Sequence, residues 1–183
     1  MPELRLPDPP LSDGVVRLRE FAPDDVGWVT EGCQDSGVAR FTSVPYPYTR
    51  EHAREWIAGQ PDRRARGEGL HLAVTAAHDC VPLGAVGMGR IDWDHLRAEM
   101  GYWILPAERG RGAAPRALRL LAAHGFDAVG LQRAEVIPFV ANPSSQRVAE
   151  KAGCRREGVL RSYFLRGGER HDCVMYSLLP GDL

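Results

Sequence analysis

Gly101-Tyr102-Trp103-Ile104-Leu105-Pro106-Ala107-Glu108-Arg109-Gly110-Arg111-Gly112-Ala113-Ala114 is the stretch whose reading decides the fold. Glu99 to Leu105 reads as a strand that Pro106 stops, and beyond Ala114 the spacing of Leu118, Leu121, Ala122 and Gly125 predicts a helix. The order is strand, glycine loop, helix. A helix start leaves about four backbone N–H groups without internal partners and carries roughly half a positive charge. Phosphate oxygens suit such a place. Gly110 and Gly112 remove side chains that would hold a phosphate away, and Arg109 and Arg111 add planar cationic donors. The alternative is an ordinary strand-to-helix connection with solvated glycines and arginines. Two rival motifs fail on inspection. A P-loop needs Lys and then Ser or Thr where Ala113 and Ala114 stand, and a dinucleotide fingerprint needs a glycine at Pro115.

Composition narrows the setting. With 183 residues, 44% of them hydrophobic, the chain suits one domain, expected over residues 12–179 with a Pro-rich lead (1–11) and a short tail (180–183). A net charge of -1 offers no global positive field for nucleic acid or an anionic membrane. No apolar run is long enough for a membrane span, and the residues after Met1 do not read as a signal peptide, so a cytoplasmic location is expected. Cys33, Cys80, Cys154 and Cys173 lie far apart with no metal-ligand spacing, which predicts reduced thiols and no metal.

Working outward, Val15 to Arg19 predicts a first strand, Asp24 and Asp25 one helix start, and Thr49 another. The loop Phe41 to Tyr48 lies between these helices. His71 to Ala76 and Val81 to Arg90 predict a hairpin around His78-Asp79. Arg133 to Val140 reads as a further strand, Asn142-Pro143-Ser144-Ser145 opens a short helix closed by Gly153, and Gly158 to Leu165 with His171 to Leu178 form a closing pair.

Four motifs in order, Arg109/Gly112/Ala114, Asn142/Ser145, Lys151/Gly153 and Glu157/Gly158/Leu160, resemble those of the GNAT superfamily of N-acetyltransferases, in the branch similar to Rim-type ribosomal-protein N-terminal acetyltransferases. The resemblance covers roughly residues 12 to 179. It implies an α/β (α+β) fold: a mixed, twisted sheet of six or seven strands, with a splay between the fourth and fifth and about four flanking helices. It also implies acetyl-CoA as acyl donor, its pantetheine lying in the splay like an added strand. Cofactor contacts are then expected from Trp103, Ile104 and Leu105, from Arg109, Gly110, Arg111, Gly112, Ala113 and Ala114, and from Asn142 and Ser145.

Acyl transfer to an amine needs a neutral amine, a stabilised oxyanion and a proton for a thiol of free pKa about 8.5. Backbone N–H groups near Trp103 or Ile104 are the expected oxyanion donors. The resemblance points to Ser145 as the thiol's proton donor, although Ser there could equally be a helix cap. Glu99 is the candidate base. Relatives can carry a glutamate after the Glu157-Gly158 motif, whereas this chain reads Arg161-Ser162-Tyr163-Phe164, which leaves Glu99, Tyr163 or a water chain near Asp92 and Asp94. Pro115 and Arg116 also replace the usual hydroxyl and acid of the phosphate loop. His95, His124 and His171 read as surface histidines; Trp28, Tyr46, Tyr48 and Trp56 read as acceptor groove or core. The expected partner is an amine acceptor, the α-amine of a protein or peptide terminus or else a small amine, with a homodimer also among the expectations. A non-catalytic acyl-CoA-binding module is the remaining alternative.

Overall fold

The computed structural model describes residues 2–183. In chain order it contains β1 (Leu11–Ser12), β2 (Val16–Arg19), α1 (Val26–Gln34), α2 (Ser36–Phe41), α3 (Arg50–Ala58), α4 (Gln60–Ala65), β3 (Gly69–Ala76), β4 (Pro82–Asp92), β5 (Arg97–Ile104), α5 (Ala113–His124), β6 (Arg133–Val136), α6 (Pro143–Lys151), β7 (Arg155–Arg166) and β8 (Glu169–Leu178). One sheet runs β1-β2-β3-β4-β5-β6-β8-β7, with β5 and β6 parallel and the other neighbours antiparallel.

Strand alternation divides the core. Leu70, Leu72 and Val74 of β3, Val86 and Met88 of β4, and Met100 of β5 face the helix α5, where Ala117, Leu118, Leu121 and Ala122 form the buried stripe. The intervening Ala73 and Ala85 face the opposite layer, against Phe21, Val29, Cys33, Ala53 and Ile57. Caps fix this second layer: the Asp35 carboxylate accepts from Val38 N at 3.0 Å to start α2, and Thr49 Oγ1 accepts from His52 N to start α3. Asp25 is buried because it accepts from the Arg19 guanidinium, Ala22 N and Trp28 Nε1, each at about 2.7 Å.

The mixed, twisted α/β sheet agrees with expectation, but several counts differ. Eight strands stand where six or seven were expected, because Leu11–Ser12 pairs with β2. That extra strand moves the splay to between the fifth and sixth. Six α-helices replace about four, since α2 and α4 add short turns to the first layer. The presumed lead is packed: Leu4 is buried and its N–H bonds Arg64 O. In the tail, the Asp182 carboxylate holds Arg155 and Leu179 N.

The break in the sheet lies between β5 and β6. β5 and β6 share three rungs, ending at Glu99 with Glu135. β6 stops at Val136, short of the Val140 expected, and the following segment leans on β8: Pro138 O accepts from Val174 N and Val140 N donates to Asp172 O. Pro138 has no N–H with which to complete its pair, so only an isolated bridge, Phe139 with Cys173, continues the ladder. From Met100 onward β5 therefore keeps an unpaired edge.

Trp103 reaches the α1 layer through Gly32, where an added Cβ would lie 2.3 Å from the Trp103 ring. Gly32→Ala is expected to lower the unfolding free energy by about 1–3 kcal/mol. Gly27→Ala on the same helix, with open space around it, should not lower it. Denaturant titration of both variants measures the contrast.

Candidate active site

A cavity of about 580 Å³ passes through the sheet where the β5–β6 ladder ends. Glu99 and Gly101 of β5, Pro138 and Phe139 beyond β6, and Ser145 of α6 all line it. Because side chains alternate along β5, the cavity has two chemically different mouths. Glu99, Gly101 and Trp103 share the face covered by α1 and α3, while Met100, Tyr102 and Ile104 share the face covered by α5 and α6.

On the first face, Glu99 receives Arg90 Nη1 at 2.9 Å and stands in register with Glu135. Burial lifts the Glu99 carboxyl above the usual carboxylate range; the Arg90 guanidinium opposes this and Glu135 adds to it. A raised carboxylate is better matched to accepting a proton near neutrality than a solvated one. Arg90 also lies 5.4 Å over the Phe164 ring, joining Glu99 to an aromatic wall of Phe41, Phe139, Phe164 and His171. Tyr163, by contrast, is exposed, and Asp92 is engaged by Arg97 and His95 N, outside the cavity lining.

On the second face, Asn142 Oδ1 accepts from Ser145 N at 3.1 Å, so Asn142 is the cap of α6. Ser145 Oγ is left to Tyr102 Oη, 2.7 Å away. Burial pushes the Tyr102 phenol up to about 12, so the pair holds its protons through the neutral range. The two hydroxyls thus form a proton-bearing couple at the cavity's inner mouth.

The backbone of β5 sorts the remaining candidates. Leu105 N donates to Leu83 O of the β4 side. Strand alternation then sends the Trp103 N–H toward β4 as well, and its carbonyl lies against Gly84. Tyr102 and Ile104 turn their backbone groups to the gap, where Ile104 O already accepts Arg109 Nε at 3.2 Å. Of the two positions expected for the oxyanion donor, Trp103 turns its N–H to β4 and Ile104 turns its N–H to the gap, as Tyr102 does.

The glycine loop has the geometry its sequence implies and a different charge distribution. Gly110 (φ 81°) and Gly112 (φ 80°) are left-handed, and Ala113 and Ala114 bury their methyls in the core, leaving their N–H groups at the bare start of α5. Each arginine has an acid partner: Arg109 with Asp35, Arg111 with Glu108 at 2.8 Å, and Arg116 with Asp13 at 2.7 Å. The loop is therefore a set of backbone donors with paired arginines at its rim, rather than a patch of free positive charge. A pyrophosphate fits the donors directly.

Comparison with known proteins agrees with this geometry. Residues 16–155 match the family model described as acetyltransferase (GNAT) domain. The chain belongs to that family. It is 35% identical to an uncharacterized N-acetyltransferase, YoaA, of Bacillus subtilis, over 88% of this chain and 92% of that protein. It is 27% identical to the ribosomal-protein-serine acetyltransferase of Escherichia coli, over 70% of this chain and 71% of that protein. Among solved structures, Mycobacterium smegmatis RimJ in complex with CoA-disulfide superposes with a TM-score of 0.83 at 23% identity, covering 95% of this chain and 87% of that one. The chain is an acetyl-CoA-dependent N-acetyltransferase of this GNAT family, and the unpaired β5 edge and α5 start are the features that fit the donor.

Sequence reasoning did not single out Tyr102, Arg90 or His71 in this GNAT domain. Tyr102 sat in a strand read for its backbone, although alternation from Ile104 already placed it on the α5 face. Trp28 packs against Phe21 and Trp103, Tyr48 is buried, and Trp56 packs on Phe21 while also lining the cavity. Tyr46 is exposed. His124 is half-buried rather than a surface residue. His71 is the histidine that enters the cavity, and burial holds its imidazole down to about 4 against an ordinary 6.5. The folded state thus binds that proton less readily than the unfolded chain, so this contribution is complete above pH 6.5 and declines as pH falls toward 4. Urea midpoints at pH 7 and pH 5 should fall further for the native chain than for His71→Leu.

Proposed function

We propose that this enzyme acetylates the α-amine of a protein or peptide N-terminus, using the two mouths of the cavity for the two substrates. The observation that carries this reading is the through-sheet cavity with a raised carboxylate, Glu99, on one face and the Tyr102–Ser145 hydroxyl couple on the other. An extended, aromatic-walled groove on the Glu99 face suits an acceptor that enters end-on. The naming of one relative as a ribosomal-protein-serine acetyltransferase supports a protein acceptor.

Acetyl-CoA supplies an activated thioester carbon at the gap. Glu99 takes a proton from the acceptor ammonium, directly or through one water, which frees the nitrogen lone pair to form the new C–N bond. The N–H groups of Tyr102 and Ile104 are the backbone donors for the carbonyl oxygen as negative charge gathers there. Ser145 Oγ gives its proton to the sulfur as the C–S bond breaks, and Tyr102 Oη supplies a replacement proton to Ser145 across their 2.7 Å contact; the second proton of the attacking nitrogen leaves to water as the amide forms, and a proton from water restores the Tyr102 phenol. Asn142 holds the first turn of α6 and so the direction of Ser145. Gly110, Gly112, Ala113 and Ala114 offer the pyrophosphate seat, and Arg109 fixes the strand-to-loop corner by joining Ile104 O to Asp35.

Thiol release from acetyl-CoA with a panel of peptides and small amines tests the reading. Saturable turnover with free N-terminal peptides, abolished by blocking the amine, is the expected result; turnover confined to small amines would sink it. Ser145→Ala is expected to lower kcat by about 10²-fold or more while acetyl-CoA affinity holds. Lost affinity with intact chemistry would make Ser145 a donor contact instead.

A further inference from the structure

One row of residues crosses the acceptor face at the level of the gap. Gly101 of β5 pairs with Gly87 of β4, and Gly87 pairs with His71 of β3. The His71 imidazole lies flat over Gly87: a Cβ there would come within 2.2 Å of His71 Cδ2 and 3.0 Å of Nε2. Gly69 leaves similar room beside Cε1, and Trp56 meets the ring edge-on at 5.7 Å. The glycines thus let the imidazole reach back across the sheet toward the gap instead of standing up from it.

Its two nitrogens differ. Nδ1 is buried with no hydrogen-bond partner. A buried bare acceptor is tolerated better than a buried orphan N–H, so the neutral ring keeps its proton on Nε2, the nitrogen beside Gly87. The Arg63 guanidinium acts on the same ring and opposes a second proton. The outcome is a single uncharged N–H donor, set in the cavity one strand spacing, about 4.8 Å, from Gly101 at the gap. A side chain of two heavy atoms ending in oxygen spans that distance with one hydrogen bond of about 2.9 Å. Glu68 and Glu99 line the same cavity together with Arg63 and Arg90, so the lining charges balance and the uncharged N–H is the group left to select.

We propose that His71 is a specificity-determining residue of the acceptor site, donating Nε2–H to a hydroxyl on the short side chain next to the acceptor amine. The proposal rests on the acetyltransferase reading of this cavity, and it holds for any amine that carries such a hydroxyl.

The test compares kcat/KM for peptides identical except for a first residue of Ser or Ala, together with serinamide and alaninamide. Wild-type enzyme is expected to prefer Ser over Ala by about fivefold or more, the worth of one net hydrogen bond. His71→Leu should bring the Ser/Ala ratio below about twofold, and His71→Gln, which keeps an N–H donor, should retain part of it. Gly87→Ala, which displaces the ring without touching His71, should also reduce the ratio. A wild-type ratio near one or a His71→Leu ratio equal to wild type would overturn the proposal. If the peptides are inert but serinamide outpaces alaninamide in a His71-dependent way, the N-terminal reading fails and this one stands. If no acceptor is turned over, both fall.

Discussion

The molecule turns on a parallel ladder that ends after three rungs. β5 and β6 begin side by side and part after Glu99 and Glu135, where the chain past Val136 stays against β8 and no longer pairs with β5. Unpaired backbone in a sheet interior is costly unless something else satisfies it. Here the unpaired edge of β5 has room for an added extended chain, which is the place we propose for the acyl donor. The two helical layers hold the strands on either side of that opening: α5 packs under one face, and α1 with α3 packs over the other.

Alternation along β5 then divides the labour without any added machinery. Successive residues point to opposite mouths, so the carboxylate of Glu99 and the hydroxyl couple at Tyr102 and Ser145 are separated by the sheet itself. Burial acts on both, raising the proton affinity of the carboxylate and of the phenol. For Glu99 the effect favours proton uptake. For Tyr102 it keeps a proton available. Arg90 tempers Glu99 from the solvent side, and its position over Phe164 ties that balance to the aromatic wall of the groove.

Much of this organisation was legible in the residues. The strand, glycine loop and helix around Arg109 to Ala114 identified a place for phosphate, and the ordered motifs at Asn142, Ser145 and Gly153 gave the family. Local signals carried those readings: glycines that need left-handed backbone, a capping residue, a proline that stops a strand. Counts of short elements were less accessible. A two-residue strand such as Leu11–Ser12 has no period to detect, and Ser36–Phe41 is too short to show a helical stripe. Charge was the least accessible, because the partners of Arg109 and Arg116 lie 74 and 103 positions away in sequence.

The sequence by itself determined the fold family, the acyl donor and the left-handed glycine loop that opens α5, since each depends on contiguous residues whose conformational limits are intrinsic. Only the tertiary structure decided what those residues do together. It gave the cap of α6 to Asn142 and freed Ser145 for Tyr102, set Glu99 beside Arg90 and Glu135, and laid His71 across Gly87. The reason is that these pairings join different strands and helices. Their distances are fixed by sheet register and helix packing, and no spacing along a single chain encodes them.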